Sequence, residues 1–219
     1  LAGNIAHELN NPLTGIRSLS QILIKQTESE PQLQGDLKEV EKAAGRSQQI
    51  IRNLLEFSMG TSQSKQLVSF DEIVEKTMPM LKALMRSHSL NLALATKELK
   101  VSAEPHLLQQ VVFNLINNAC QAMEESGTLT VTSRQSDNPN YLELIIEDDG
   151  PGIVVELQAK IFEPFFTTKK EGQGTGLGLS LSRDIIRRMD GEITVSSKVG
   201  EGSLFTIRLP LATLIQSAQ

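Results

Sequence analysis

The 219-residue sequence contains very little of several residue types. It has one cysteine, no tryptophan and only 4% aromatic residues. The single Cys120 excludes an intrachain disulfide framework and suits a reducing compartment. Its three histidines and one cysteine are too few for a soft-metal site. The 39% of hydrophobic residues is nevertheless enough for one large core or two small ones.

The sequence also lacks long runs of apolar residues and long runs of basic residues. No apolar run approaches the roughly 20 residues of a membrane span, and no signal-peptide pattern opens the chain. No basic run stands out among 21 basic and 26 acidic residues, so we expect neither nucleic acid nor a membrane as a partner of this chain. A helical pattern already runs at Leu1, which is not a methionine. We therefore expect a fragment of a longer protein, and the missing span says nothing about its parent.

Two amphipathic helices are predicted at the start of the chain. The first covers residues 1–27, and Pro31 suits the start of the second. A heptad pattern of alternating spacings of four and three runs along the second helix, at Leu33, Leu37, Val40, Ala44, Ser47, Ile51, Leu54 and Ser58. A lone hairpin leaves apolar surface uncovered, so we expect two copies to form a four-helix bundle. The alternative is a hairpin packed on its own downstream domain.

Beyond the hairpin the pattern changes to mixed α/β. Helices are predicted over residues 71–87, 104–125, 156–161 and 178–189. Strands are predicted over residues 90–96, 128–134, 141–147, 192–197 and 203–209. Because the strands come in pairs, we expect an α+β fold with a mixed, mostly antiparallel sheet and helices on one face. The predicted limits are 1–59 for the hairpin, 60–66 for a linker, 67–211 for the α+β domain and 212–219 for a tail.

The first candidate site lies in the opening helix. On a helical wheel His7 is opposite the apolar seam and therefore points toward water. Glu8 is its neighbour in sequence, and Asn11 follows one turn later on nearly the same face. Taken alone, this stretch favours a solvated surface histidine.

Two asparagines in a predicted helix form the second candidate. Asn114 and Asn118 are one turn apart at the edge of the apolar face. Asparagine is a poor helix former, so the pair suggests a polar task, and a carboxamide oxygen is a hard ligand suited to Mg²⁺. Capped or solvated side chains are the alternative.

The third candidate directly follows a predicted strand. Asp148 stands at the strand end, and Gly150 and Gly152 allow a ligand to approach the backbone closely. This arrangement suits recognition of a ligand's amino group. A tight acidic turn is the alternative.

The fourth candidate combines aromatic residues with alternate glycines. Three phenylalanines lie in residues 162–166, and glycines occupy positions 172, 174, 176 and 178. These glycines run into a predicted helix start, where free N–H groups attract phosphate. No Gly-Lys-Ser/Thr follows, which excludes a P-loop, and Leu177 and Leu179 break the dinucleotide fingerprint. A flexible loop is the alternative.

Together and in this order, the stretches resemble a sensor histidine kinase of two-component systems. His7-Glu8 with Asn11-Pro12 resembles the phospho-acceptor box, and residues 114–118 resemble the N box. The first glycine box, the F box and the second glycine box are matched by residues 148–152, 162–166 and 174–178. The resemblance implies a dimerisation and phosphotransfer hairpin followed by an ATP-binding domain of the Bergerat fold. Only six residues precede His7, whereas the first helix of the family usually begins well before its histidine.

The resemblance also implies an activity and its residues. We expect ATP-dependent autophosphorylation of His7 assisted by Glu8, transfer to an aspartate of a response regulator, and a phosphatase activity involving Asn11. Asn118 is expected to hold Mg²⁺ and Asp148 to accept the adenine amino group. The remaining expected nucleotide contacts are Asn114, Gly150, Gly152, Phe165, Lys169, Thr175, Gly176, Leu177 and Gly178. A homodimer in the cytoplasm is expected.

Two other functions remain open from the sequence. One is an ATP-dependent conformational clamp of the same superfamily, and the other is a scaffold that binds nucleotide without catalysis. The clamps activate water with a glutamate at the first N-box position. Asn114 occupies that position here, which argues against the clamp.

Overall fold

A computed structural model describes residues 2–27, 29–58, 64–82, 84–169 and 175–212. For residues 2–10, 46 and 48–58 it describes the backbone alone. Two compact units are present: one comprises the described parts of 1–62 together with 165–177, and the other comprises those of 63–164 and 178–219.

The first unit contains a helical hairpin. Helix α1 spans Ala2–Gln26 and helix α2 spans Pro31–Ser58, so Pro31 opens the second helix as predicted. Between the helices, Arg17 Nε lies 2.6 Å from Glu41 Oε1, which also accepts a 3.1 Å hydrogen bond from Gln21. The prediction of a helical hairpin is confirmed.

The second unit is built on a five-stranded sheet. Its strands are β2 (His88–Leu94), β4 (Gly127–Gln135), β5 (Tyr141–Asp148), β6 (Glu192–Lys198) and β7 (Gly202–Pro210). The strand order is β2-β4-β5-β7-β6; the β2–β4 pair is parallel and the other pairs are antiparallel. The predicted mixed, mostly antiparallel sheet is confirmed.

Helices cover one face of this sheet. They are α3 (Phe70–Leu81), α4 (Pro105–Met123), α5 (Val155–Gln158) and α6 (Gly178–Arg188). Every second residue of β5 is fully buried beneath them, as at Leu142, Leu144 and Ile146. Helix α4 buries Leu108, Val111 and other apolar residues against the sheet. The core of the unit therefore lies between α4 and the sheet, as the helix and strand periodicities require.

Some details differ from the sequence predictions. Strands β1 (Gln66–Val68) and β3 (Val101–Ala103) form a separate antiparallel pair that was not predicted. Each has three residues, too few to show an alternating pattern. The helix predicted over 71–87 ends at Leu81, and Pro79 in its last turn has no backbone N–H to donate. A 3₁₀ helix follows at Leu84–Ser87. A second 3₁₀ helix at Lys160–Phe162 forms the end of the helix predicted over 156–161.

The predicted domain limits stay a prediction. Most of the predicted linker, residues 60–66, lies outside the described residues, and Gln66 at its end begins β1. The predicted tail lies outside them from residue 213 onward.

Candidate nucleotide and phospho-acceptor sites

Asp148 is a buried carboxylate at the end of β5. Its relative exposure is 4%, and its Oδ1 accepts a 3.0 Å hydrogen bond from the backbone N–H of Gly150. Burial raises the pKa of Asp148 above the usual aspartate value, although the N–H groups of Gly150 and Ser203 partly oppose that rise. The next residue, Asp149, is exposed and accepts a 2.8 Å bond from Thr128 N. The structure thus turns one of two adjacent acids inward, where it can accept a hydrogen bond from a ligand.

The glycines after Asp148 allow two backbone segments to touch. Gly152 has φ +73°, and a β-carbon there would lie 2.1 Å from the carbonyl oxygen of Lys198. Gly202 has φ +93°, and a β-carbon there would lie 1.9 Å from the carbonyl oxygen of Asp148. The β6–β7 turn therefore packs directly on the strand end that carries Asp148, and only glycine fits at these two contacts.

Ser197 ties the same two segments together. Its hydroxyl accepts a 2.7 Å bond from Ile153 N and donates a 2.7 Å bond to Gly202 O. The sequence analysis missed Ser197 and the role of the turn. The available signal was the Gly200-x-Gly202 spacing, which resembles that of Gly150 and Gly152.

Asn114 and Gly178 are brought together at the start of α6. A β-carbon on Gly178 would lie 2.5 Å from Asn114 Oδ1. The Nδ2 of Asn114 donates a 2.9 Å hydrogen bond to the hydroxyl of Ser182, one turn into α6. Asn118, one turn further along α4, is half-buried. Ser182 was missed by the sequence analysis, because its partner is 68 residues away.

Several predicted nucleotide contacts lie in the segment of residues 165–177, which is grouped with the first unit. They are Phe165, Lys169, Thr175, Gly176 and Leu177. Phe165 donates a 2.9 Å backbone hydrogen bond to Gly176 O, and both residues have positive φ, +67° and +66°. Leu177 N donates a 3.3 Å bond to Thr175 Oγ1, and burial lowers the pKa of Lys169. The two ends of the segment are therefore joined; residues 170–174 lie outside the described residues.

Arg183 and Phe162 form a further contact within the second unit. The guanidinium carbon of Arg183 lies 5.6 Å from the ring centroid of Phe162. This is a cation–π distance, so α6 contacts the 3₁₀ helix at Lys160–Phe162 through this pair. The sequence analysis did not single out this pair.

The predicted phospho-acceptor residues lie in α1. The backbones of His7 and Glu8 are helical, but their side chains lie outside the description, so their roles stay a prediction. Asn11 is exposed in the same helix, and Pro12 lies within it. An exposed Asn11 is consistent with a role at the surface of the hairpin.

The donor groups available for a metal ion are few. Across the parts of the chain with described side chains, no cluster of three or more His, Cys, Asp or Glu residues could hold one. Mg²⁺ in nucleotide sites commonly takes only one or two protein ligands and otherwise binds phosphates and water. The hard amide oxygen of Asn118 fits that donor set.

Comparisons with known proteins match each of the two units to a family of domains. Residues 103–213 match the histidine kinase-, DNA gyrase B-, and HSP90-like ATPase family, and residues 1–63 match the His kinase A (phospho-acceptor) domain. The chain belongs to the sensor histidine kinases. The second unit of this chain is its ATPase-family domain, and the family resemblance recognised from the sequence boxes is confirmed.

Individual relatives agree with this assignment. AtoS of Escherichia coli, a signal transduction histidine-protein kinase, is 41% identical over 96% of this chain and 34% of its own length. The sensor histidine kinase ZraS of Salmonella typhi is 32% identical over 96% of this chain and 45% of its own length. The chain thus spans less than half the length of these relatives.

A solved structure has the same fold over nearly the whole chain. The histidine kinase ThkA, in complex with the response regulator protein TrrA, matches with a TM-score of 0.66 and 26% identity, over 96% of this chain and 60% of that chain. Among the described residues of the chain, no helix has the length and apolar character needed to cross a membrane.

Proposed function

We propose that this kinase phosphorylates His7 with ATP and passes the phosphoryl group to an aspartate of a response regulator. One observation carries the proposal: a phospho-acceptor hairpin containing His7 and an ATPase domain with a buried Asp148 occur in one chain. The solved complex of ThkA with the response regulator TrrA supports the choice of partner. The proposed reactions place the chain in the cytoplasm, where ATP is available.

Asp148 is the proposed anchor for adenine. Its carboxylate would accept a hydrogen bond from the exocyclic amino group, and Gly150 and Gly152 would shape the pocket. The burial of Asp148 supports this role, because a hydrogen bond to a desolvated carboxylate is stronger than one made in water. Phe165, Thr175, Gly176 and Leu177 remain proposed nucleotide contacts by their family boxes, and Lys169, which lies between the two boxes, remains a proposed contact.

Asn118 is the proposed Mg²⁺ ligand. When bound, the ion neutralises charge on the triphosphate and holds it in a reactive geometry. Backbone N–H groups at the start of α6, from Gly178, would contact phosphate oxygens, as helix N-termini do. Asn114 lies against Gly178 and completes this part of the proposed site.

The phosphoryl transfer is a substitution at the γ-phosphorus. One imidazole nitrogen of His7 forms the P–N bond while the bond to the bridging oxygen breaks and ADP leaves. Glu8 accepts the proton from the other ring nitrogen, which makes the attacking nitrogen more nucleophilic. The product is a phosphohistidine, from which the regulator's aspartate accepts the phosphoryl group.

A homodimer is proposed for the hairpin. Ile16, Leu19 and Leu23 form an apolar stripe on α1, each more than 40% exposed, and Leu33 and Val40 are similarly exposed at heptad spacing on α2. Apolar stripes of this kind are buried in four-helix bundles. Two hairpins packed on these stripes would cover them.

Incubation with γ-labelled ATP tests the proposed reaction. The kinase should retain a label that is acid-labile and base-stable, as expected of phosphohistidine. His7→Gln should abolish this label while leaving ATP affinity nearly unchanged, because His7 lies in the hairpin and Asp148 in the other unit. Label retained on the variant would overturn the assignment of His7.

The same experiment separates the two alternative functions. A conformational clamp would release inorganic phosphate without becoming labelled, and a scaffold would neither release phosphate nor retain label. Addition of a purified receiver domain to the labelled kinase should move the label to the receiver domain.

A further inference from the structure

Ser182 lies one helical turn inside the proposed phosphate-binding end of α6. It is 2% exposed, and its hydroxyl makes two hydrogen bonds of 2.9 Å. It donates one to the carbonyl oxygen of Gly178 and accepts the other from Nδ2 of Asn114 on α4. The hydroxyl therefore connects the first residue of α6 with the asparagine packed against it.

The chemistry of these bonds sets the orientation of the Asn114 amide. A carboxamide has an acceptor end and a donor end of nearly the same shape, so a packed asparagine can be reversed at little steric cost. A serine hydroxyl has one proton, and Ser182 gives it to Gly178 O. Only its lone pairs then face Asn114, and they favour the NH₂ end and repel the oxygen.

The fixed amide places an acceptor beside Gly178. Both ends of the Asn114 amide lie near the point where a β-carbon of Gly178 would stand, and the oxygen, at 2.5 Å, is nearer than the nitrogen, at 2.9 Å. A reversed amide would present N–H groups there instead. An oxygen next to an anion-binding helix end repels bare phosphate but suits a Mg²⁺ ion or its water ligands, which bridge to phosphate.

We propose that Ser182 is a positioning residue of the nucleotide site, whose hydroxyl holds the Asn114 amide with its oxygen toward Gly178 and thereby strengthens Mg²⁺-dependent nucleotide binding. The inference rests on the proposed function, since it needs ATP and Mg²⁺ to bind at α4 and the start of α6. Ser182 acts through Asn114 and not by contact with the nucleotide.

The test is a double-mutant cycle on the whole chain, with Ser182→Ala, Asn114→Ala and the double variant. Alanine removes the buried hydroxyl without adding volume. The affinity for a non-hydrolysable ATP analogue is measured by calorimetry in excess Mg²⁺ and again in EDTA. We expect Ser182→Ala to weaken binding about five- to tenfold in Mg²⁺ and less than twofold in EDTA. In the Asn114→Ala background it should have no further effect.

A second measurement needs no ligand. The side-chain NH₂ signals of Asn114 in a ¹⁵N correlation spectrum should shift in Ser182→Ala and exchange faster with water. Ser133→Ala is the matched control, because Ser133 is also a buried hydroxyl with two hydrogen bonds, to Asp71 and Ala95, outside the proposed site. It should lower the melting temperature without changing nucleotide affinity or the Asn114 signals.

The outcomes separate the inference from the proposed function. If the unmodified chain binds the analogue in a Mg²⁺-dependent way but Ser182→Ala binds equally well, the inference alone is overturned. An equal loss with and without Mg²⁺, or a loss that persists in the Asn114→Ala background, also overturns it and assigns Ser182 a merely structural role. An unmodified chain that fails to bind the analogue overturns the proposed function and the inference together.

Discussion

At the scale of single residues, the ionised carboxylate of Asp148 has opposite effects on folding stability and on the proposed nucleotide binding. Burial raises its pKa, so the ionised form costs folding free energy at neutral pH. The pKa of Asp148 is 3.8 in the unfolded chain and higher in the folded chain. Below pH 3.8 the carboxyl is protonated in both states and costs no stability. The full loss of stability is reached once the pH exceeds the folded pKa. The proposed adenine contact would need this same carboxylate as a hydrogen-bond acceptor.

The Asp148→Asn variant should separate these two effects. The ligand-free variant should melt at a higher temperature than the unmodified chain at pH 7, and the difference should shrink as the pH falls toward 4. Nucleotide binding should weaken at least about tenfold, because a hydrogen bond to a charged acceptor contributes about 1.5–3 kcal/mol. Calorimetry at pH 7 and melting curves across this pH range measure both effects.

Asp149→Asn is the matched control for that variant. Asp149 is adjacent in sequence but exposed, so its change should leave nucleotide affinity within about twofold, since surface substitutions have small effects. An unchanged dissociation constant in Asp148→Asn would show that adenine binds elsewhere.

Asn11 offers a prediction about the reverse reaction. It is exposed one turn after His7, and its amide could orient a water molecule toward the regulator's phospho-aspartate. Asn11→Ala should keep autophosphorylation within a few-fold but slow phosphatase activity at least about tenfold, equivalent to about 1.4 kcal/mol of transition-state stabilisation. Both rates should be measured on one preparation with the melting temperature. If Asn11 instead caps the backbone near Pro12, the helix loses stability and both rates fall together.

At the scale of elements, the β6–β7 turn supports the strand end that holds Asp148. The turn touches that strand end through Gly202, and Gly152 in the following loop touches the carbonyl of Lys198. Ser197 adds hydrogen bonds to both segments. The position of Asp148 therefore depends on the packing of a hairpin some 50 residues further along the chain.

Two alanine substitutions in the same turn should have very different effects. Gly202→Ala should lower the free energy of unfolding by about 2–4 kcal/mol, because a β-carbon there meets the Asp148 carbonyl and φ is +93°. Gly200→Ala should cost only about 1–2 kcal/mol, since its φ of +81° is strained but nothing lies within 4 Å. Urea unfolding of both variants measures the difference. Equal costs would show that backbone strain, and not contact with the Asp148 carbonyl, determines the glycine requirement.

At the scale of the whole molecule, the exposed stripes of the hairpin predict self-association. The unmodified chain should sediment as a dimer at micromolar concentration. Leu19→Glu should shift it toward the monomer, because Leu19 is 62% exposed on the α1 stripe and a carboxylate is costly to bury in an apolar seam. Ser18→Glu is the control, since Ser18 is exposed on the opposite side of the helix wheel and should stay dimeric. A monomeric unmodified chain would contradict the proposed bundle.

The long elements and the family boxes were readable from the sequence. Helices α1, α2, α4 and α6 and strands β4–β7 each run through at least seven residues, long enough for a local period to appear. The resemblance also needs only local strings, such as the residues at 114–118 and 148–152. Periodicity and local motifs depend only on residues that are close in sequence, so they can be recognised without knowledge of the fold.

Tertiary packing alone decided the remaining features. Some of these features join residues that are distant in sequence: the parallel β2–β4 pair, the short β1–β3 sheet and the hydrogen bond from Asn114 to Ser182. Another feature distinguishes two neighbouring residues of the same type, because Asp148 is buried and Asp149 is exposed. The local sequence pattern does not predict these features, because each depends on which distant segment of the backbone packs against the residue. Gly202 lets the β6–β7 turn touch the backbone carbonyl of the buried Asp148, and α6 brings the hydroxyl of Ser182 within hydrogen-bonding distance of Asn114.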